Sequence, residues 1–537
     1  MKRIFNLAKG LLVAIVISAT MVSCSENVMD TINADTNHTK DVQAKFILAD
    51  VITSTAFNVV GGDFNTYTST YVEHEVGTDN QLYRAEHRDN EPSASSTFNN
   101  VWGSTYTALK NARIVIEKCS AGGKQEGNQV TKGIAEVLAA YNSAIIADMF
   151  GDAPYSEASL ITEEGLPKFM NPKIDSQKDI YAGVMKLLND AVADLKGTDA
   201  HASGGMGSYD LLYYKMNQSS KENAALWLKL AYGLKARYTM RLLARSTAKP
   251  ADLQIVLDNV ALSFTSAANQ AAFKIYDAAN LNPLFDFQWS RDGLAASKSM
   301  SEKLIERNDP RLRRVFVDAG WMQMTGADDE AFFMAPNGAN DELKYHYNTS
   351  IFVFSQTAPT LLMSYHEVLF LKAEALARLG NAALAKTTLK DAVVAAIANT
   401  EMNVSAALNA PTPGLPANGG GLTQTTDAIT PTEAATYFDT DVAPLFTANP
   451  LKEVMNQKYL AFFGASGEST ECFSDIRRMK ALGENLVTLK NPLNATKFPL
   501  RCPYGSDDTT NNPNVISAYG DGQYVYSEKV WWAGGTR

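Results

Sequence analysis

The sequence predicts an all-α, mainly helical fold for the body of this 537-residue chain. Three observations predict it. Apolar residues recur at spacings of three and four in one segment after another, which gathers them on single helix faces. One pair of such segments, broken by a glycine, reads as a tight helix hairpin. A composition of 45% hydrophobic and 20% charged residues supplies material for a large buried core. Length alone would allow more than one domain, but composition draws no boundary, so residues 41–537 are read as one domain.

Ahead of that body, Lys2-Arg3 precedes an apolar run from Leu11 to Val22 and the tetrad Met21-Val22-Ser23-Cys24. A spanning helix needs about 20 apolar residues, and a basic start with a short apolar run is the secretory pattern. Residues 1–23 are therefore expected to be a lipoprotein signal peptide, Cys24 the lipidation site and the polar residues 24–40 a tether. Acyl chains contribute about 0.8 kcal/mol per buried methylene, so two or three of them would hold the protein on a membrane. Cys119, Cys472 and Cys502 remain, enough for one disulfide at most. Cys472 with Cys502 is the candidate pair, and free buried thiols are the better reading.

Helical faces follow in order at Gln129 to Met149, Asp179 to Leu195, Ala224 to Leu243, Thr360 to Leu379 and Ala382 to Ala398. In the fourth, small residues Ala373, Ala375 and Ala377 lead to Gly380, after which the chain restarts at Asn381. This spacing resembles a tetratricopeptide helix hairpin, although no regular array follows. Asp148 to Tyr155 reads as a helix stop and corner, and Asn308-Asp309-Pro310-Arg311 as a turn in which Arg311 can pair with an acid. In Asp475-Ile476-Arg477-Arg478, the arginines are expected to lock their helix to the body. Two long insertions, Asp318 to Ala358 and Asn409 to Thr430, interrupt the helices.

Function classes narrow quickly. The formal net charge of -10 argues against a nucleic-acid partner. There is no nucleophile elbow, P-loop, dinucleotide fingerprint or H-E-x-x-H motif, and none of the six histidines stands four residues from another. His366 reads as a packed helix residue. The acid clusters Glu73/Glu75 and Asp328/Asp329/Glu330 could in principle supply a glycosidase-type carboxylate pair, but isolated acid pairs are common on solvated surfaces, so no enzyme activity and no cofactor are expected. The sequence does not reveal a metal site.

Seven blocks, in order, give a more specific reading. They are Val137 to Ala158, Asn223 to Leu242, Glu306 to Phe316, Ser364 to Gly380, Gln457 to Arg478, Phe498 to Val515 and the terminal Val530-Trp531-Trp532. Together, behind a lipoprotein signal, they resemble the SusD/RagB family of surface lipoproteins, over essentially the whole chain after Cys24. The resemblance implies a helical domain with tetratricopeptide-like hairpins and long irregular loops, anchored at the outer membrane and exposed on the cell surface. It implies a SusC-like TonB-dependent transporter as partner, for which the protein acts as a lid that captures oligosaccharides or, as a close alternative, oligopeptides. A helical-repeat adaptor that binds only protein is a further alternative.

Sugar recognition calls for flat aromatic faces beside hydrogen-bonding groups. Two regions offer that combination. The first is the loop holding Asp79, Asn80, Tyr83 and Arg84, placed like the family's N-terminal binding loop. The second comprises Trp289 and Arg291 together with Trp321, Tyr345 and Tyr347. Trp102 and Trp227 fall on apolar helix faces and are expected in the core, and Trp531-Trp532 read as packing.

Overall fold

A computed structural model describes residues 41–88, 98–162, 164–317, 333–344, 346–411 and 426–537. Cys24, the signal segment, the tether, Trp321, Tyr345 and the Asp328/Asp329/Glu330 cluster lie outside the described residues. Helices dominate the rest, as the periodicity predicts.

The helix Gln129–Phe150 runs through the centre, and every residue from Gly133 onward is buried. By length and composition it could cross a membrane, as could the stretch from Ala44 to Tyr71, but its apolar window is wholly buried inside the protein. It is a core helix, flanked by Asn99–Cys119 and Gln177–Asp194. Buried polar residues tie it to its neighbours: Asn142 donates to the Thr55 hydroxyl at 2.9 Å, and Asp148 accepts from the Tyr181 hydroxyl and pairs with Arg241. Gly151, at φ 74°, ends the helix, and Ala153–Pro154 turns back to pair with Ile174–Asp175.

Sequence signals account for several other helix ends. Ser219 and Glu222 form a capping box that opens Ser220–Arg241. Ser364 accepts from the Glu367 amide and opens Tyr365–Arg378. Gly380 adopts φ 78°, and Asn381 caps Ala382–Leu408, completing the hairpin. Its two helices share an apolar cluster including Phe370, Ala373, Leu376, Leu389 and Val393.

The first hairpin helix is shorter than its periodicity implied. Thr360–Met363 is a strand, paired antiparallel with Ala271–Phe273. A short, fully buried apolar run carries no periodicity that separates strand from helix. Here the cap at Ser364 and the bond between the Thr360 and Tyr276 hydroxyls, at 2.8 Å, set the boundary. The second helix instead continues beyond Ala398 to Leu408.

The Ser469–Ala481 helix is held by buried ion pairs. Arg478 pairs with Glu374 at 2.6 Å and with Asp475 at 2.9 Å, and Lys458 reaches Asp475 at 2.6 Å. The Arg477 guanidinium donates to the carbonyl oxygens of Asp148 and Leu500 and lies over the Trp532 ring. Arg311 pairs with Asp309 at 2.6 Å. Cys119, Cys472 and Cys502 are free and buried, and burial pushes the Cys119 and Cys502 thiols up to about 12.

Candidate functional site

Two segments far apart in sequence are joined by a small antiparallel sheet. Glu75–Gly77 pairs with Leu294–Ala296, Gly77 opposite Leu294. The Thr78 amide extends the ladder, donating to the Gly293 carbonyl at 2.9 Å. Only glycine fits at position 77, because a Cβ there would meet the Leu82 carbonyl oxygen at 2.0 Å. That close approach folds the Asn80–His87 helix back against the strand. The two predicted binding regions thereby become neighbours.

Between them lies a cleft of about 500 Å³, lined by Asp79, Asn80, Gln81, Asn99, Asn100 and Arg291, with Asp63, Tyr67, Phe287 and Lys344 completing the wall. A recess of about 250 Å³ shares Asp63, Asn100, Phe287, Ser290 and Arg291 with it and adds Asp286. Phe287, Ser290 and Arg291 stand three and four apart on the helix Pro283–Arg291, so one helix face supplies all three. This helix is firmly seated. Asn282 accepts from the Leu284 amide at its start and donates to the carbonyls of Ala358 and Ala465. At its end Asp292 turns into the left-handed region, and Gln288 donates to its carboxylate at 2.7 Å.

Charges in the cleft are matched locally. The Lys344 ammonium lies 3.3 Å from Asp79, and Glu342 accepts from the Asn80 amide at 3.2 Å. Burial raises the Asp63 carboxyl above the usual carboxylate range, with the nearby Arg291 guanidinium opposing that shift. Gln81 accepts from the Tyr67 hydroxyl at 2.9 Å, which leaves its amide nitrogen as a donor.

Asp79, Asn80 and Arg291 are thus brought together. Trp289 is on a neighbouring face of the same helix, 57% exposed, its ring near-parallel to Phe285 at 6.1 Å. Tyr83 packs on His87 with ring centroids 4.1 Å apart, and Arg84 is exposed on the same helix; neither lines the cleft. Tyr347 is buried with Val76, Ala295 and Ala335, its hydroxyl accepting from the Asp341 amide at 3.1 Å and its ring stacked on the half-exposed Phe333. Sequence reasoning missed Asp63, Tyr67, Asn99, Asn100, Phe287 and Lys344. Helical spacing from Arg291 could have found Phe287, whereas the others arrive only through tertiary packing.

The remaining polar candidates are structural. Glu73 is buried and accepts from the Lys490 and Asn491 amides, and Glu75 accepts from the Ser350 hydroxyl. His366 is buried against Glu468 at 3.0 Å. Among the described residues no group of three or more His, Cys, Asp or Glu side chains is arranged to hold a metal ion.

A family model described as SusD-like, starch-binding and associating with the outer membrane matches residues 36–505. The chain belongs to the SusD-like family. A SusD/RagB family protein from Bacteroides thetaiotaomicron is 52% identical to this SusD-like chain, with a TM-score of 0.85 over 93% of this chain and 100% of its own. Two more distant solved structures share the SusD-like fold. A chitin-binding SusD homologue from Flavobacterium johnsoniae is 18% identical, with a TM-score of 0.64 over 92% of this chain and 99% of its own. A SusD homologue from Bacteroides fragilis is 18% identical, with a TM-score of 0.65 over 92% and 100%. No curated protein sequence matches this chain.

Proposed function

We propose that this SusD-like protein is a cell-surface lipoprotein, anchored through Cys24, that captures oligosaccharides and acts as a lid delivering them to a SusC-like TonB-dependent transporter. The observation that carries the sugar-binding role is the cleft itself. Asp79, Asn80, Gln81, Asn99, Asn100 and Arg291 supply donors and acceptors around the Phe287 ring. Sugars present apolar C–H faces with hydroxyl rims, and a partly exposed ring beside carboxamides and a guanidinium meets both. The chitin-binding homologue on the same fold supports a sugar over a peptide ligand. Binding without bond chemistry is supported by the family model, whose description names starch binding; Glu73 and Glu75 are buried and tied to structural donors. Trp289 offers a second ring outside the cleft for a longer chain.

Calorimetric titration of detergent-purified protein against malto- and chito-oligosaccharides and against oligopeptides of similar length tests this. Saturable heat with a saccharide and none with peptides is expected. Binding confined to peptides would move the function to the oligopeptide alternative, and binding of neither would leave the adaptor reading.

A further inference from the structure

We propose that the cleft selects uncharged sugar chains and rejects anionic ones, those bearing uronate or sulfate. This rests on reading the cleft as the sugar site and adds the charge class of its ligand. In the cleft Asp63 and Asp79 stand against two cations, Arg291 and Lys344, and the adjoining recess adds a third carboxylate, Asp286. Both cations already have acidic neighbours. The Lys344 ammonium lies 3.3 Å from Asp79, and Arg291 is close enough to Asp63 to oppose the upward shift that burial imposes on its carboxyl. Glu342, bonded to the Asn80 amide at 3.2 Å, adds a further negative charge at the rim.

An anionic chain carries a carboxylate or sulfate on every residue or every second residue. Each would need its own cation as water leaves the cleft, and like charges brought together there oppose binding and deny the wrong partner. A uronate entering this cleft would face Asp79 and, in the adjoining recess, Asp286, or would have to displace Asp79 from Lys344. The neutral polar groups tell the same story from the other side. Asn80, Gln81, Asn99, Asn100 and Ser290 all line the cleft. Carboxamides and hydroxyls bond to sugar hydroxyls and to acetamido groups without requiring a countercharge. The whole chain, at a formal net charge of -10, repels polyanions at longer range as well.

Titration of detergent-purified full-length protein with neutral hexasaccharides derived from starch, chitin and mannan, beside oligogalacturonate and chondroitin sulfate hexasaccharides, tests the inference. Salt is held at ~50 mM, where screening is weak. The best neutral chain is expected to bind at least about tenfold more tightly than either anionic one. A variant carrying Asp79→Asn and Asp286→Lys, with its melting temperature checked against wild type, should narrow that gap by about tenfold. An anionic chain that binds as tightly as the best neutral one overturns the charge inference and leaves the sugar site standing. An unchanged gap in the double variant overturns it too, because cleft charge would not be its cause. No binding by any saccharide overturns the sugar site and this inference with it.

Discussion

Trp227 and Trp289 stand in opposite environments. Trp227 is fully buried, and its indole nitrogen donates to Asp210 at 2.9 Å. Trp289 is 57% exposed and rests on Phe285. Trp227→Ala should cost about 3 to 5 kcal/mol of stability through the cavity it leaves, with Asp210 losing a donor in addition. Trp289→Ala should leave thermal stability within about 0.5 kcal/mol of wild type and weaken binding of long saccharides by about 1 to 3 kcal/mol if the ligand extends beyond the cleft. Chemical denaturation and titration of both variants measure these outcomes. At this scale Asp79, Asn80 and Arg291, singled out as polar residues beside aromatics, do line one cleft, whereas Tyr83 and Arg84, singled out on the same grounds, do not. Asp63, Tyr67 and Asn100 were not legible in the sequence, since nothing in their own helices says that they face a segment more than 180 residues away. Tyr347 was singled out by residue type, yet burial and the bond from the Asp341 amide give it a packing role.

Helices that carry the site are positioned by buried contacts, and one of these titrates. Glu86, in the Asn80–His87 helix, accepts from the Gly338 amide at 2.7 Å and from the Asn491 side chain at 3.1 Å. Burial pushes its carboxyl from 4.5 up to about 8, with Arg88 opposing that shift and Glu73 reinforcing it. Its folded-state value lies above its unfolded value, so its favourable contribution is complete below pH 4.5 and is lost as pH rises to about 8. Glu86→Gln, which keeps the neutral shape, should therefore raise the melting temperature relative to wild type at about pH 9 and change it little at about pH 4.5. Equal effects at both pH values, read by circular dichroism, would contradict this account. Glu75 and Glu136, also raised to about 8, are present in both proteins and cancel in the comparison. Element boundaries show what periodicity can and cannot give. Gln129–Phe150 was read almost to the residue because its apolar pattern is long. Thr360–Met363 was misread as helix because four consecutive buried residues look alike in either conformation until a partner strand is known.

Family and fold agree at the scale of the whole molecule. The seven blocks that identified the family lie mostly in the scaffold. They include the Gly151 corner, the tetratricopeptide-like hairpin, and the Arg477 and Arg478 contacts that fasten the Ser469–Ala481 helix. This is why the fold was legible in the sequence and the ligand was not: scaffold residues answer to packing, which the sequence pattern carries, and a ligand is a molecule the sequence does not contain. The lid role predicts a durable complex. A specific interface buries about 1,600 Å² and a long-lived one more, so mild-detergent extraction of native membranes should recover the protein with a large TonB-dependent barrel, as read by mass spectrometry of the purified complex. Recovery as a lone lipoprotein from cells expressing a SusC-like transporter would count against it. The central claim, that sugar binds where the two predicted segments meet, is tested most directly by titrating one bound saccharide against wild type, Phe287→Ala and Arg291→Ala. The account predicts that each variant loses about 1 to 3 kcal/mol of binding, with the melting temperature of Arg291→Ala near that of wild type and that of Phe287→Ala somewhat lower, because its ring packs partly against the core. Wild-type affinity in both variants would contradict it.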